Sequence, residues 1–202
     1  MSLAIDLFWS FRSPYSYLAT PRLVRLTREY DVDVHVRVVL PLAVRVPGFF
    51  ERVNPLWPPY LLRDTARIAE HLGLPYGWPR PDPIVQEFPS RRVAAEQPYI
   101  FRLTRLGVEA ARRGRGLPFI AEVSRLVFGG EVVGWHEGDH LARAAERARD
   151  HARAASPCCR RRHTRRARLS WPKKGSPWNT IVGTPQCPAA SRSRWFWSIT
   201  AS

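Results

Sequence analysis

Ser13 and Ser16 stand at the two ends of an S-x-x-S box, within Phe11-Arg12-Ser13-Pro14-Tyr15-Ser16-Tyr17-Leu18. The box follows a short apolar run, residues 4–9, and opens a segment of helical composition. A dithiol redox site carries C-x-x-C at a strand-to-helix junction of this kind. Here both sulfurs are replaced by oxygens, so dithiol chemistry is excluded from the box. The electropositive start of a helix remains, and it suits a thiolate brought in by a ligand. Ser13 admits two readings from the residues alone. As Ser before Pro it signals a helix N-cap. Set among Trp9, Phe11, Tyr15 and Tyr17 near the carboxyl end of a strand, it also lies where open α/β sheets bind ligands. A serine needs a neighbouring base to act as a nucleophile, and none of the six histidines is placed by spacing to serve as one. The residue types therefore favour hydrogen bonding over covalent attack. The Ser13 hydroxyl would donate to a thiolate sulfur, and the helix start would lower that thiol's pKa.

A second group comprises Asn54, Tyr60, Asp64 and Arg67. Tyr60 and Asp64 are spaced i, i+4 and Asp64 and Arg67 i, i+3, so the last three share one helical face. The same spacing fits an exposed face with one ion pair worth about a few tenths of a kcal/mol. Trp57 and Trp78 read as packing residues. His136 and His140, with Asp139, have the spacing of a helical metal pair, but no third ligand stands at a telling distance and no metal is expected. Cys158, Cys159 and Cys187 form no zinc spacing. Phosphate-loop and dinucleotide glycine motifs are absent.

These residues need elements to hold them. Residues 4–9 predict a first strand, apolar on both faces as a central strand would be. A helix is expected from Pro14, since proline suits the first helical position. Ala19, Leu23, Leu26 and Tyr30 would form its apolar stripe, and Pro21 would kink it. Residues 33–40 alternate valines with polar residues and predict a second strand. Strand, helix and strand at this length make a parallel β-α-β unit. Residues 41–59 read as an irregular connection and 60–72 as a helix ended by Gly73. Residues 74–83 read as a proline-broken loop. Residues 90–113 have helical composition, with Pro98 marking a kink or junction, and 117–128 and 137–149 predict two more helices. The expected division is a β-α-β part over 1–42, a mostly helical inserted domain over 43–150, and a basic tail over 151–202.

The 202 residues suffice for one domain with an inserted subdomain, and 45% hydrophobic residues support a buried core. No run approaches the roughly 18 apolar residues that span a bilayer. The first residues lack the basic region and apolar stretch of a signal peptide, which predicts a cytoplasmic protein. The net charge of +15 is unevenly spread. Residues 151–202 carry 11 of the 32 Lys and Arg and no Asp or Glu, leaving 21 basic against 17 acidic residues in the body. All three cysteines, both lysines and four of the eight tryptophans also fall there. One reading of the tail is a basic, aromatic-bearing arm for nucleic acid. The other, favoured by the absence of acids and the abrupt boundary, is translation of a GC-rich gene in a shifted frame. Either way the tail offers no apolar face to offset the entropy of ordering, and poor order is expected.

The run Asp6-Leu7-Phe8-Trp9-Ser10-Phe11-Arg12-Ser13-Pro14-Tyr15-Ser16-Tyr17-Leu18-Ala19 resembles the opening of 2-hydroxychromene-2-carboxylate isomerases. These are relatives of kappa-class glutathione transferases, in the DsbA-like branch of the thioredoxin superfamily. Asn54, the Tyr60-x-x-x-Asp64-x-x-Arg67-x-Ala69 pattern, Gly73-Leu74-Pro75 and the run from Gly134 to Leu141 are similar to later family segments. The resemblance implies a thioredoxin-like α/β fold of the DsbA type with an inserted helical domain. It implies a glutathione-dependent isomerase acting on an aromatic or conjugated carboxylic acid, with glutathione as a cofactor that is not consumed. A kappa-type transferase would use the same thiolate to conjugate instead. The serine matching Ser13 lies beside the glutathione sulfur in that family, and Asn54, Tyr60, Asp64 and Arg67 would orient cofactor and substrate. A homodimer is also implied. The family's later Val-Pro cis-proline turn, two further strands and Gly-x-Asp-Arg segment are not legible after residue 150, where Thr184-Pro185 is only a faint echo.

Overall fold

The computed structural model describes residues 3–87 and 89–154. Two strands, β1 (Leu3–Trp9) and β2 (Val32–Val38), pair in parallel with Leu3 opposite Val32 and Trp9 opposite Val38. Helix α1 (Pro14–Glu29) connects them. The β-α-β unit expected from the two residue periods is thus present, with β2 ending two residues before the valine pattern does. The alternating valines of β2 put Val36 in the core, while Asp33, His35 and Arg37 point to the other face. On that face Asp6 accepts a hydrogen bond from Arg37 Nε at 2.8 Å, and His35 Nε2 lies 3.1 Å from Asp33. The strand expected to be apolar on both faces is covered on one: Ala4, Asp6 and Phe8 are exposed, Phe8 by 62%. Among the described residues β1 pairs with β2 alone.

Helix α1 buries Pro14, Tyr17, Leu18 and Thr20. The stripe expected at Ala19, Leu23, Leu26 and Tyr30 is not the buried face, for Ala19 and Tyr30 are exposed and the two leucines only half-buried. The reason lies in packing. Tyr17 stacks on Phe128 (5.8 Å between centroids) and Tyr76 (6.4 Å), which turns the 14-17-18 row toward the helices. The helix runs unbroken through Pro21, whose missing N–H leaves the Tyr17 carbonyl without its helical donor.

Two short helices, α2 (Leu42–Arg45) and α3 (Phe49–Arg52), occupy the stretch expected to be irregular. Helix α4 (Trp57–Leu72) begins three residues before Tyr60, because Pro58 and Pro59 fit a first turn that needs no N–H donors. Gly73, at φ 62°, ends it in the left-handed conformation. Helix α5 (Pro98–Arg112) begins at the proline. Residues 90–97 are not helical, because Gln97 instead ties Val85 through both its N–H and its carbonyl (2.8 and 2.9 Å). Helix α6 (Gly116–Phe128) is the most buried, and α7 (His140–Ala154) packs along it. Helix α7 continues four residues past the boundary expected at 150. The core centres on Ile100, Leu103, Ile120, Val123 and Ala144, all fully buried, with Trp9, Phe11, Phe128 and Trp135 around them. No helix among the described residues is long and apolar enough to cross a membrane. The expectations for the rest of the tail, a basic arm for nucleic acid or a segment translated in a shifted frame, poorly ordered in either case, fall on residues 155–202 and lie outside the described residues.

Candidate functional site

Strand β1 ends at the buried Trp9, and Ser10, Phe11 and Arg12 turn the chain into α1. Ser13 is the N-cap, in an extended conformation (φ −91°, ψ 114°). Its Oγ accepts the Ser16 N–H at 3.3 Å, and its carbonyl accepts the Tyr17 N–H at 3.3 Å. The capping role is therefore present, but it uses only a lone pair of the hydroxyl. A serine hydroxyl also carries one donor, and no acceptor among the described residues takes it. Pro14 has no N–H, and the N–H of Tyr15 finds no carbonyl among the described residues. Two unspent donors, the Ser13 O–H and the Tyr15 N–H, thus stand at the positive end of a 16-residue helix.

The aromatic residues flanking the box divide between core and site. Trp9 and Phe11 are each 1% exposed and fill the core, Trp9 donating to Thr20 Oγ1 at 3.3 Å. The two rings expected beside Ser13 belong to the core instead: Trp9 packs on Phe11 (4.6 Å) and Phe11 on Phe119 of α6 (6.1 Å). Tyr17 is also buried and donates to the Pro75 carbonyl at 2.6 Å. Burial pushes its phenol pKa up, against the opposing charge of Arg125. Tyr15 alone of the four reaches the second group, donating to Asp64 Oδ2 at 2.7 Å. Burial, then the bond to Asp64 and its charge, hold the Tyr15 phenol well above the ordinary tyrosine pKa, so it remains a proton donor.

The structure thereby joins Asp64 to the Ser13 turn. Tyr60 is 62% exposed on the same helix and near enough to Tyr15 to add to its shift. Arg67 is exposed and makes no ion pair with Asp64, whose partner is Tyr15. Asn54 is exposed before α4, where its Oδ1 accepts the Leu56 N–H at 2.9 Å. That is a local turn contact, and it does not tie Asn54 to Ser13.

Sequence reasoning missed Arg12. Its guanidinium donates through Nε and Nη2 to the two oxygens of Asp82 (3.2 and 2.9 Å) and lies 3.4 Å from Gln86 Oε1. It is flanked by the rings of Phe50 (5.2 Å) and Trp78 (5.0 Å). The available signal was a lone cation in an otherwise aromatic turn. Trp78 and Trp57 are packing residues here, Trp57 lying 6.2 Å from the Phe50 ring.

No family model matches the chain, and no curated protein matches it. It is similar in fold to a solved 2-hydroxychromene-2-carboxylate isomerase (HCCA isomerase). The two share 20% identity over 78% of this chain and 74% of that chain, with a TM-score of 0.49.

His136, Asp139 and His140 do not converge. His136 packs its ring on Tyr99 (4.6 Å) and Trp135 (5.7 Å), and its Nε2 faces Glu137 at 3.5 Å. Asp139 pairs instead with Arg143 at 2.8 Å. Among the described residues no group of three or more His, Cys, Asp or Glu could hold a metal ion. Among the described residues, hollows lie elsewhere. One of about 720 Å³ runs between β2 and the α5–α6 turn, and one of about 220 Å³ lies between α6 and α7.

Proposed function

We propose that this chain is a glutathione-dependent isomerase on a thioredoxin-like, DsbA-type scaffold, acting on an aromatic or conjugated carboxylic acid. One observation carries the reading: a parallel β1–α1–β2 unit whose helix start offers two unspent donors, the Ser13 O–H and the Tyr15 N–H, where a redox relative would carry sulfur. An anionic sulfur fits there, because both donors and the helix dipole favour negative charge. The described residues contain no cysteine, so none of them can supply a thiolate.

Bound glutathione would supply a nucleophilic thiolate that adds to the conjugated acid and is regenerated when the isomerised acid leaves. The chain's own residues bind and orient. The Ser13 O–H and Tyr15 N–H hold the sulfur and lower its pKa. Tyr15 occupies one oxygen of Asp64 and leaves the other free for a cationic group. Asn54, Tyr60, Asp64 and Arg67 orient cofactor and substrate in this reading.

The test is to incubate the full chain with glutathione and a conjugated aromatic acid, following the acid spectroscopically and the thiol by titration. Isomerisation without net thiol loss is expected. Net consumption of thiol would identify a transferase, and no change in the acid would overturn the reading.

A further inference from the structure

Ser13's own side chain makes a single local contact, the bond from Ser16. Beside the Tyr15–Asp64 bond to α4, a second tether holds its turn, through the residue before it. Arg12 is gripped from two separate segments: Phe50 on α3, and Trp78, Asp82 and Gln86 in the connection between α4 and α5. Its side chain is 13% exposed and that of Asp82 24%. The loop carrying Asp82 is itself anchored. Trp135 Nε1 donates to the Pro81 carbonyl at 2.8 Å, the Gly134 N–H to the Arg80 carbonyl at 2.9 Å, and the Ile84 N–H to Asp82 Oδ1 at 3.0 Å.

A partly buried ion pair is a weak source of stability, because desolvation offsets its attraction, but it does specify geometry. The guanidinium suits that task. Its planar fork donates to both oxygens of a carboxylate along one edge while its faces lie against aromatic rings, which a lysine could not reproduce.

We propose that Asp82 is a positioning residue for the site. Acting through Arg12, it fixes the turn that carries Ser13 and Tyr15, so that their two donors are held ready for one anionic sulfur. The proposal rests on the glutathione reading for its ligand, but its mechanical part can be measured without any ligand.

The experiment uses Asp82→Asn, Arg12→Gln and the double variant in the full chain. In ligand-free protein, amide exchange at Ser16 and Tyr17, which donate to the Ser13 oxygens, speeds at least tenfold in Asp82→Asn, while Ile120 and Val123 exchange as before. Unchanged exchange at Ser16 and Tyr17 overturns the positioning role whether or not glutathione binds. Affinity for glutathione falls at least tenfold in each single variant, and no further in the double variant. Affinity for S-methylglutathione, which has no thiolate, changes less than twofold. Equal losses for both ligands would show general damage and overturn the proposal, and Asp82→Glu should restore part of the lost affinity. If Asp82→Asn fails to fold, the double variant, which leaves no unpaired charge, carries the same measurements. Wild-type protein that binds no glutathione overturns the functional reading instead.

Discussion

The Tyr15 hydroxyl donates to Asp64 Oδ2 at 2.7 Å, joining the S-x-x-S turn to α4 across 49 residues of sequence. A hydrogen bond to a charged group contributes more than a neutral one, and removing the donor leaves the carboxylate oxygen partly buried and unpaired. Tyr15→Phe should destabilise the chain by about 1–2 kcal/mol, measured by denaturant unfolding. The pH dependence follows from the raised phenol pKa. The folded state keeps the proton above about pH 10, where an unfolded tyrosine loses it. Stability from this group is therefore fully present below the ordinary tyrosine pKa and is lost as pH rises toward the folded value. Tyr15→Phe should lack that alkaline component.

Glu122, on α6, is the counterpart on the acid side. Its side chain is 8% exposed and accepts from Arg147 at 2.7 Å and Arg125 at 3.2 Å. Burial alone would raise its pKa, but the two arginine bonds and their charges together bring it below the usual carboxylate range. Its contribution is present above the unfolded pKa and is lost as pH falls through the folded one. Glu122→Gln should lower stability at neutral pH by about 1–3 kcal/mol and flatten the acid limb of a stability–pH curve. An unaltered acid limb would show that the pair does not carry it.

Gly107 sits inside α5, where exchange for alanine ordinarily gains up to about 1 kcal/mol of helix propensity. Here packing decides the sign. A Cβ at Gly107 would lie 2.8 Å from Phe11 Cε2 and 3.0 Å from Val38 Cγ2. Phe11 is 1% exposed and hemmed by Trp9 and Phe119, so it cannot yield. Overpacking of this kind costs about 1–3 kcal/mol, and Gly107→Ala should lower the melting temperature rather than raise it.

What could be read from the sequence was local. The valine alternation of β2, the proline at the start of α1 and the glycine ending α4 each act within a few residues, and each is found where it was expected. The buried face of α1 departs from the apolar stripe because the stacking of Tyr17 on Tyr76 and Phe128, not the apolar count along the helix, turns it. The partners of the site are remote: Arg12 meets Asp82 at a separation of 70 residues. Spacing offers no signal for such a pair. Asp64 stands i, i+3 from Arg67 in sequence, yet the third dimension gives it Tyr15 as its partner.

Calorimetric titration of the full chain with glutathione tests the central claim most directly, with Ser13→Ala measured beside it. The account predicts saturable one-site uptake by the wild-type chain. It predicts at least a tenfold loss in Ser13→Ala, which still folds with only the roughly 0.5–2 kcal/mol cost of a lost cap. Absence of uptake by the wild-type chain, or equal affinity in the alanine variant, would contradict it.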